Sequence, residues 1–189
     1  MELQEQILEE TLKIFNKKGL KFTMDDIAHD LGISKKTIYT VFKTKEQLFL
    51  TMVDYIFDGI KESEQLVMES DELDVVSKIR SIFKVMPERY SEIDFRQLYQ
   101  LKDKYPKIYK KVEKRLETGW ENTIILLEQG MEQGVIRRVH IPIVKMMLES
   151  TLEQFFQRDV LMKNKMTYQE ALDEVVDIIM DGIVVVSSK

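Results

Sequence analysis

The feature that most narrows the possible folds is a shortage of turn makers, with seven Gly and three Pro in 189 residues. An all-β protein of this length needs many tight turns, and those lean on residues that reach positive φ or preset φ. Leu, Met, Glu, Lys and Gln, which lose little rotamer freedom in a helix, abound instead. The composition predicts an all-α fold, and 44% hydrophobic residues can build it a sizeable core. Without Cys there is no disulfide, no thiolate nucleophile and no Cys-based zinc site. The opening MELQEQILEE lacks a basic stretch followed by an apolar one, and no apolar run approaches the roughly 18 residues that read as a membrane span. The expectation is a cytoplasmic protein with no membrane partner.

Periodicity and punctuation place the helices. Leu3, Ile7, Leu8, Thr11, Leu12 and Phe15 fall at helical spacing, and Asn16-Lys17-Lys18-Gly19 closes that segment with basic residues and a Gly stop. Thr23 before Met24-Asp25-Asp26 is a hydroxyl N-cap followed by acids, and Gly32 ends the short helix it opens. Ser34 can cap a third helix to about Phe42, and Thr44-Lys45-Glu46-Gln47 forms a capping box for a fourth. Further helices are predicted near 73–86, 92–104, 106–132, 142–161 and 167–186, about nine in all, with Pro106 at a first turn and Thr167 paired with Glu170 in another capping box.

Charge is uneven along this plan. Residues 1–50 hold eight Lys and eight acidic residues, so the net charge of −5 belongs to 51–189. Within the neutral part, Lys35, Lys36, Lys43 and Lys45 fall in a stretch with no acid until Glu46. A nucleic-acid-binding chain need not be basic overall, but it must be basic where it touches phosphate.

Residues 24–42 read as two short helices joined by a tight turn. A helix-turn-helix needs a small residue where its helices cross, a Gly in the turn and an apolar residue of the second helix packed inward. Ala28, Gly32 and Ile38 supply these. With those inside, Lys35, Lys36, Thr37, Tyr39, Thr40 and Lys43 face outward, as amines and hydroxyls suited to base edges and phosphates in a major groove.

Residues 7–49 resemble the DNA-binding domain of the tetracycline-repressor (TetR) family of bacterial transcriptional regulators. The motifs that carry the resemblance occur together and in order: Phe15 and Gly19, Ile27-Ala28, Gly32-Ile33-Ser34, Ile38-Tyr39 with Phe42, and Lys45-Glu46 with Leu48. It implies a three-helix DNA-binding domain over 1–46 and a helical effector-binding and dimerisation domain over 47–189. It also implies base or phosphate contacts from Lys35, Lys36 and Thr37, a backbone contact from Tyr39 and a phosphate grip from Lys45; Thr23 and Ser34 are further DNA-binding candidates. Val41 stands where family members often carry His or an aromatic, Thr40 is smaller than the common occupant, and 1–50 contain no Arg. Bidentate arginine reading of guanine is therefore absent from this segment.

A single three-helix reader covers little DNA, so the expected partner is a pseudo-palindromic duplex bound by a homodimer. Apolar stripes in the last two segments suggest the interface, with Met147, Thr151, Phe155, Val176, Ile179 and Ile183 as candidates. For a small-molecule effector, apolar or amphipathic, the candidates are aromatic or polar residues within apolar faces: Phe95, Tyr99, Trp120, Thr123, Glu153, Gln154 and Phe156. Glu153 would favour a cationic group. A DNA-bound adaptor working through a protein partner is the alternative within the same fold. Catalysis is poorly supplied: His29 and His140 are the only histidines, no phosphate-cradling Gly loop or nucleophile elbow occurs, and neither a metal nor a cofactor is expected.

Overall fold

Local signals set most helix ends in the computed structural model, which describes residues 2–87, 101–157 and 160–185. Helix α1 (Leu3–Lys18) ends at Gly19, whose φ of 56° few other residues adopt, and passes through a 3-10 turn, Gly19–Lys21. Helix α2 (Met24–Leu31) starts on a full capping box, in which Thr23 accepts the Asp26 N–H at 3.2 Å and the Asp26 carboxylate accepts the Thr23 N–H at 2.7 Å. Ser34 caps α3 (Lys35–Val41) by accepting the Thr37 N–H at 3.0 Å. The box expected at Thr44 forms with a shift of one residue: Thr44 accepts from the Gln47 N–H, but the Gln47 amide reaches back to the Lys43 N–H. It opens the long α4 (Lys45–Glu69).

Then follow α5 (Val75–Lys84), α6 (Leu101–Lys104), α7 (Pro106–Glu117), α8 (Glu121–Glu132), α9 (Ile141–Gln157), α10 (Val160–Lys163) and α11 (Tyr168–Ile183). Among the described residues there is no strand, only an isolated bridge between Ile136 and Val184. The single helix expected over 106–132 is two, because Gly119 takes a φ of 82° and breaks the path between α7 and α8. The expected helix over 92–104 is described only at its end, as α6.

The chain forms two compact units, one of residues 1–58 and 92–115, the other of 59–91 and 116–189. The first is built on aromatic packing around Phe49 of α4. Its ring meets Phe15 edge-on at 5.7 Å, Phe22 at 5.3 Å and Tyr105 at 5.5 Å, while Ile7, Ile27, Ile38, Leu48 and Ile108 are fully enclosed. Ion pairs from Lys111 to Asp54 and from Arg115 to Asp58 join α7 to α4 within this unit.

The second unit centres on α5, α8, α9 and α11, with Ile79, Ile82, Leu126, Leu127, Leu148, Leu172, Val176 and Met180 in one apolar cluster. Gly130 lets α8 pack closely, since a Cβ there would stand 3.1 Å from both Ile79 Cδ1 and Ile136 Cγ1. The backbone after α11 folds back on the turn after α8: Arg137 N–H donates to Ile183 O at 2.8 Å and Val185 N–H to Val135 O at 3.0 Å.

Candidate nucleic-acid interface

The α2–α3 pair is held by the residues that the helix-turn-helix pattern requires. Gly32 sits in the left-handed region, with φ 64° and ψ 28°, and its N–H donates to the Ala28 and His29 carbonyls. The next N–H, of Ile33, donates to Ala28 O at 3.0 Å, so two terminal carbonyls of α2 are satisfied inside the turn. Ala28, Ile38 and Phe42 are buried. Burying Ile38 completely fixes the rotation of α3, and its other face is thereby turned to solvent.

On that face Lys35, Lys36, Tyr39, Thr40 and Lys43 are exposed and Thr37 is half-buried. Several of these groups are already engaged. Lys35 pairs with Asp25 at 2.6 Å, and that hydrogen bond raises the pKa of the ammonium. Lys43 Nζ donates to Tyr39 O at 3.0 Å, and Thr40 Oγ1 to Thr37 O at 2.6 Å. Ser34 Oγ lies 2.8 Å from Thr37 Oγ1, and the Thr23 hydroxyl donates to Asp26 at 3.0 Å within the capping box. Lys36 has no polar partner among the described residues, which leaves it as the unpaired cation of α3.

Lys45 departs from expectation. Rather than standing free to grip a phosphate, its amine donates to Leu20 O at 3.0 Å and to Phe22 O, and lies 4.0 Å from the centre of the Phe22 ring. Partial burial lowers its pKa, helped by nearby Lys104 and opposed by Asp26. The sequence gives no sign of this, because the accepting carbonyls lie 25 and 23 residues away and backbone groups carry no residue signature.

The residues expected at a dimer interface divide. Phe155, Val176, Ile179 and Ile183 are buried in the chain's own core, Ile179 and Ile183 also lining a groove between α9 and α11. Thr151 is half-buried and its hydroxyl donates to Met147 O at 2.7 Å. Met147 is exposed, beside residues that the stripes did not single out: Ile143, Met146 and Ile178. Ile143, Met147 and Ile178 line the same groove, of 290 Å³, together with Arg137, Arg138 and His140.

Of the effector candidates, Phe95 and Tyr99 lie outside the described residues, as does the side chain of Phe156. Trp120 stands at the N-cap position of α8, packs on the core, donates from Nε1 to Leu116 O at 2.9 Å and has the Lys145 ammonium 5.8 Å from its ring centre. Thr123 is buried, and Glu153 and Gln154 are half-buried. Composition did not point to Glu64, a buried carboxylate that pairs with Lys61.

Residues 7–52 match the family of bacterial regulatory proteins described as the tetR family. Over 181 residues, 96% of this chain and 95% of the relative, the sequence is 26% identical to the HTH-type transcriptional regulator YvaF of Bacillus subtilis. A second B. subtilis regulator of that type, YuxN, is 40% identical over 58 residues, 30% of this chain and 20% of its own length. The fold is that of a TetR transcription regulator from Haloarcula marismortui, with TM-score 0.72 and 17% identity over 96% of this chain and 98% of that one. A transcriptional regulator from Cytophaga hutchinsonii is similar to the same degree, with TM-score 0.70, 20% identity and the same coverage of both chains. No helix among the described residues is long and apolar enough to cross a membrane. Residues 7–52 thus match the tetR family of bacterial regulatory proteins, and the chain along its length is similar to an HTH-type transcriptional regulator.

Proposed function

We propose that this chain is a cytoplasmic repressor that binds a pseudo-palindromic operator as a homodimer and is released from it by a small molecule. The observation that carries the reading is the outward face of α3, where Lys36, Tyr39 and Thr40 stand exposed on a helix whose rotation Ile38 fixes, with Lys43 exposed just past its end. Such a helix presents amines and hydroxyls to a major groove without Arg, so discrimination rests on Lys, hydroxyl and methyl contacts. Residues 1–46 read the DNA, and 47–189 dimerise and take the effector.

The exposed apolar side chains of α9 and α11 support the dimer, because Ile143, Met147 and Ile178 line one groove and a second copy would remove them from water. The effector is apolar or amphipathic and contacts residues near Trp120 and Thr123. An effector coupling of about 1–3 kcal/mol would change operator affinity by roughly 5- to 150-fold. The deciding experiment passes a fragmented genomic pool over the purified chain in rising salt and sequences what is retained. A recovered palindrome that Tyr39→Ala no longer enriches supports the reading, and enrichment no better than random DNA removes it.

A further inference from the structure

Lys45 stands apart from the other basic residues around the reader. Lys36 is exposed and Lys35 pairs with Asp25 at the surface, whereas the part-buried Lys45 amine lies near two aromatic rings, its Nζ 4.0 Å from the Phe22 ring centre and 5.7 Å from that of Phe49. There it donates to Leu20 O and Phe22 O. Both carbonyls belong to the short path between α1 and α2, which has no continuous helix to satisfy its backbone. Phe22 directly precedes Thr23, the N-cap of α2. One amine thus ties the first residue of α4 to the segment from which α2 departs, and α2 carries α3 through the Gly32 turn.

We propose that Lys45 is a positioning residue that fixes the α1–α2 path, and with it the setting of the α2–α3 pair on α4, and that it does not bind a phosphate. The proposal rests on the DNA-binding reading above. Its physical content is that the amine is already desolvated and hydrogen-bonded, so reaching a phosphate would strip two backbone carbonyls of their donor. A residue of this kind changes how well the other contacts are aligned without changing how many counterions the protein displaces.

The two roles separate in the salt dependence of binding. Each phosphate neutralised adds about 0.9 to the slope of log affinity against log salt, so a phosphate ligand leaves its mark there and a positioning residue does not. The full-length chain, Lys45→Met and Lys45→Gln are titrated with a random-sequence duplex across a salt series, and amide hydrogen exchange is followed over residues 19–26. Lys45→Met keeps the apolar stem and loses the amine; Lys45→Gln keeps an N–H donor without the charge. The expected result is an affinity loss of about tenfold for Lys45→Met at unchanged slope, faster exchange over 19–26, and an intermediate loss for Lys45→Gln. A shallower slope in both variants with exchange unaltered makes Lys45 a phosphate ligand and overturns the proposal, as does wild-type affinity in Lys45→Met. Should Lys45→Met not fold, Lys45→Gln carries the same comparison of slope and exchange. Failure of the wild-type chain to bind any duplex, a result distinct from an altered slope, overturns the DNA-binding reading and the proposal with it.

Discussion

Lys61 Nζ lies 2.7 and 2.6 Å from the two carboxylate oxygens of Glu64, one turn further along α4, and donates as well to the Gly119 carbonyl. Glu64 is only 7% exposed, and burial raises its pKa above the ordinary 4.5 while Lys61 and Asn122 pull it down. A raised carboxyl pKa means that the folded state holds the proton more tightly than the unfolded chain does. Its favourable contribution is complete below 4.5 and is lost as pH rises through the raised folded value. Thermal denaturation should therefore show a decline as pH rises above 4.5 that is absent in Glu64→Gln. Lys61→Met leaves the carboxylate without its cation and should cost about 1–3 kcal/mol at neutral pH.

Gly119 and Gly32 both take positive φ, but their surroundings differ. A Cβ at Gly119 would stand 2.6 Å from Lys61 Cε, and Lys61 is pinned by Glu64, whereas nothing lies within 4 Å of a Cβ at Gly32. Gly32→Ala should cost about 1–2 kcal/mol, the ordinary penalty for a left-handed L-residue. Gly119→Ala should cost more, because it adds the displacement of Lys61 to the same backbone term. Equal costs in chemical denaturation would show that the Lys61 contact contributes nothing.

The two carboxylates that open α2 predict separate effects. Asp26 is held at about 2, below its ordinary 3.8, by Lys18 and by the Thr23 N–H and hydroxyl. Its stabilising contribution is present above 3.8 and disappears as pH falls through about 2, so Asp26→Asn should flatten that acid limb of a stability profile. Asp25 instead faces Lys35 at 2.6 Å. Asp25→Asn frees that amine and removes a negative charge beside the groove-facing helix, so affinity for random-sequence DNA should rise severalfold in a filter-binding assay.

Adjacent residues of α11 should respond in opposite ways. Ile178 is 64% exposed and Ile179 only 7%. Ile178→Lys should leave the thermal midpoint of the subunit near wild type but shift the chain to monomer in light scattering. Ile179→Ala should destabilise the fold by about 2–4 kcal/mol, the usual cost of a cavity left by a buried aliphatic side chain. A dimer that survives Ile178→Lys would place the interface elsewhere.

What the sequence revealed follows how local each signal is. Thr23, Gly32 and Ser34 could be read because a cap or a left-handed turn acts on backbone three or four residues away, and the structure uses each in that way. The inward anchors Ala28 and Ile38 were legible for the same reason, through helical spacing within one short motif. In α11 the periodic stripe was visible, but one residue is a turn of about 100°, and Ile178 and Ile179 differ in burial by what packs on them from α5 and α9. The break between α7 and α8 was marked by Thr118-Gly119, a weak signal inside an otherwise continuous helical pattern. Lys45 and Lys61 were least legible, since each is satisfied by main-chain carbonyls far along the sequence.

The backbone bridge between Ile136 and Val184 bears on how the molecule can be handled. Val185 donates its N–H to Val135 and Ile183 accepts from Arg137, so the residues just past α11 are knitted into the turn that follows α8. Removing residues from 184 onward would delete the Val185 bond and leave only the one at Ile183, whereas an affinity tag joined beyond 185 keeps both. A fluorophore attached at Val185 itself would report on a residue held by a backbone hydrogen bond.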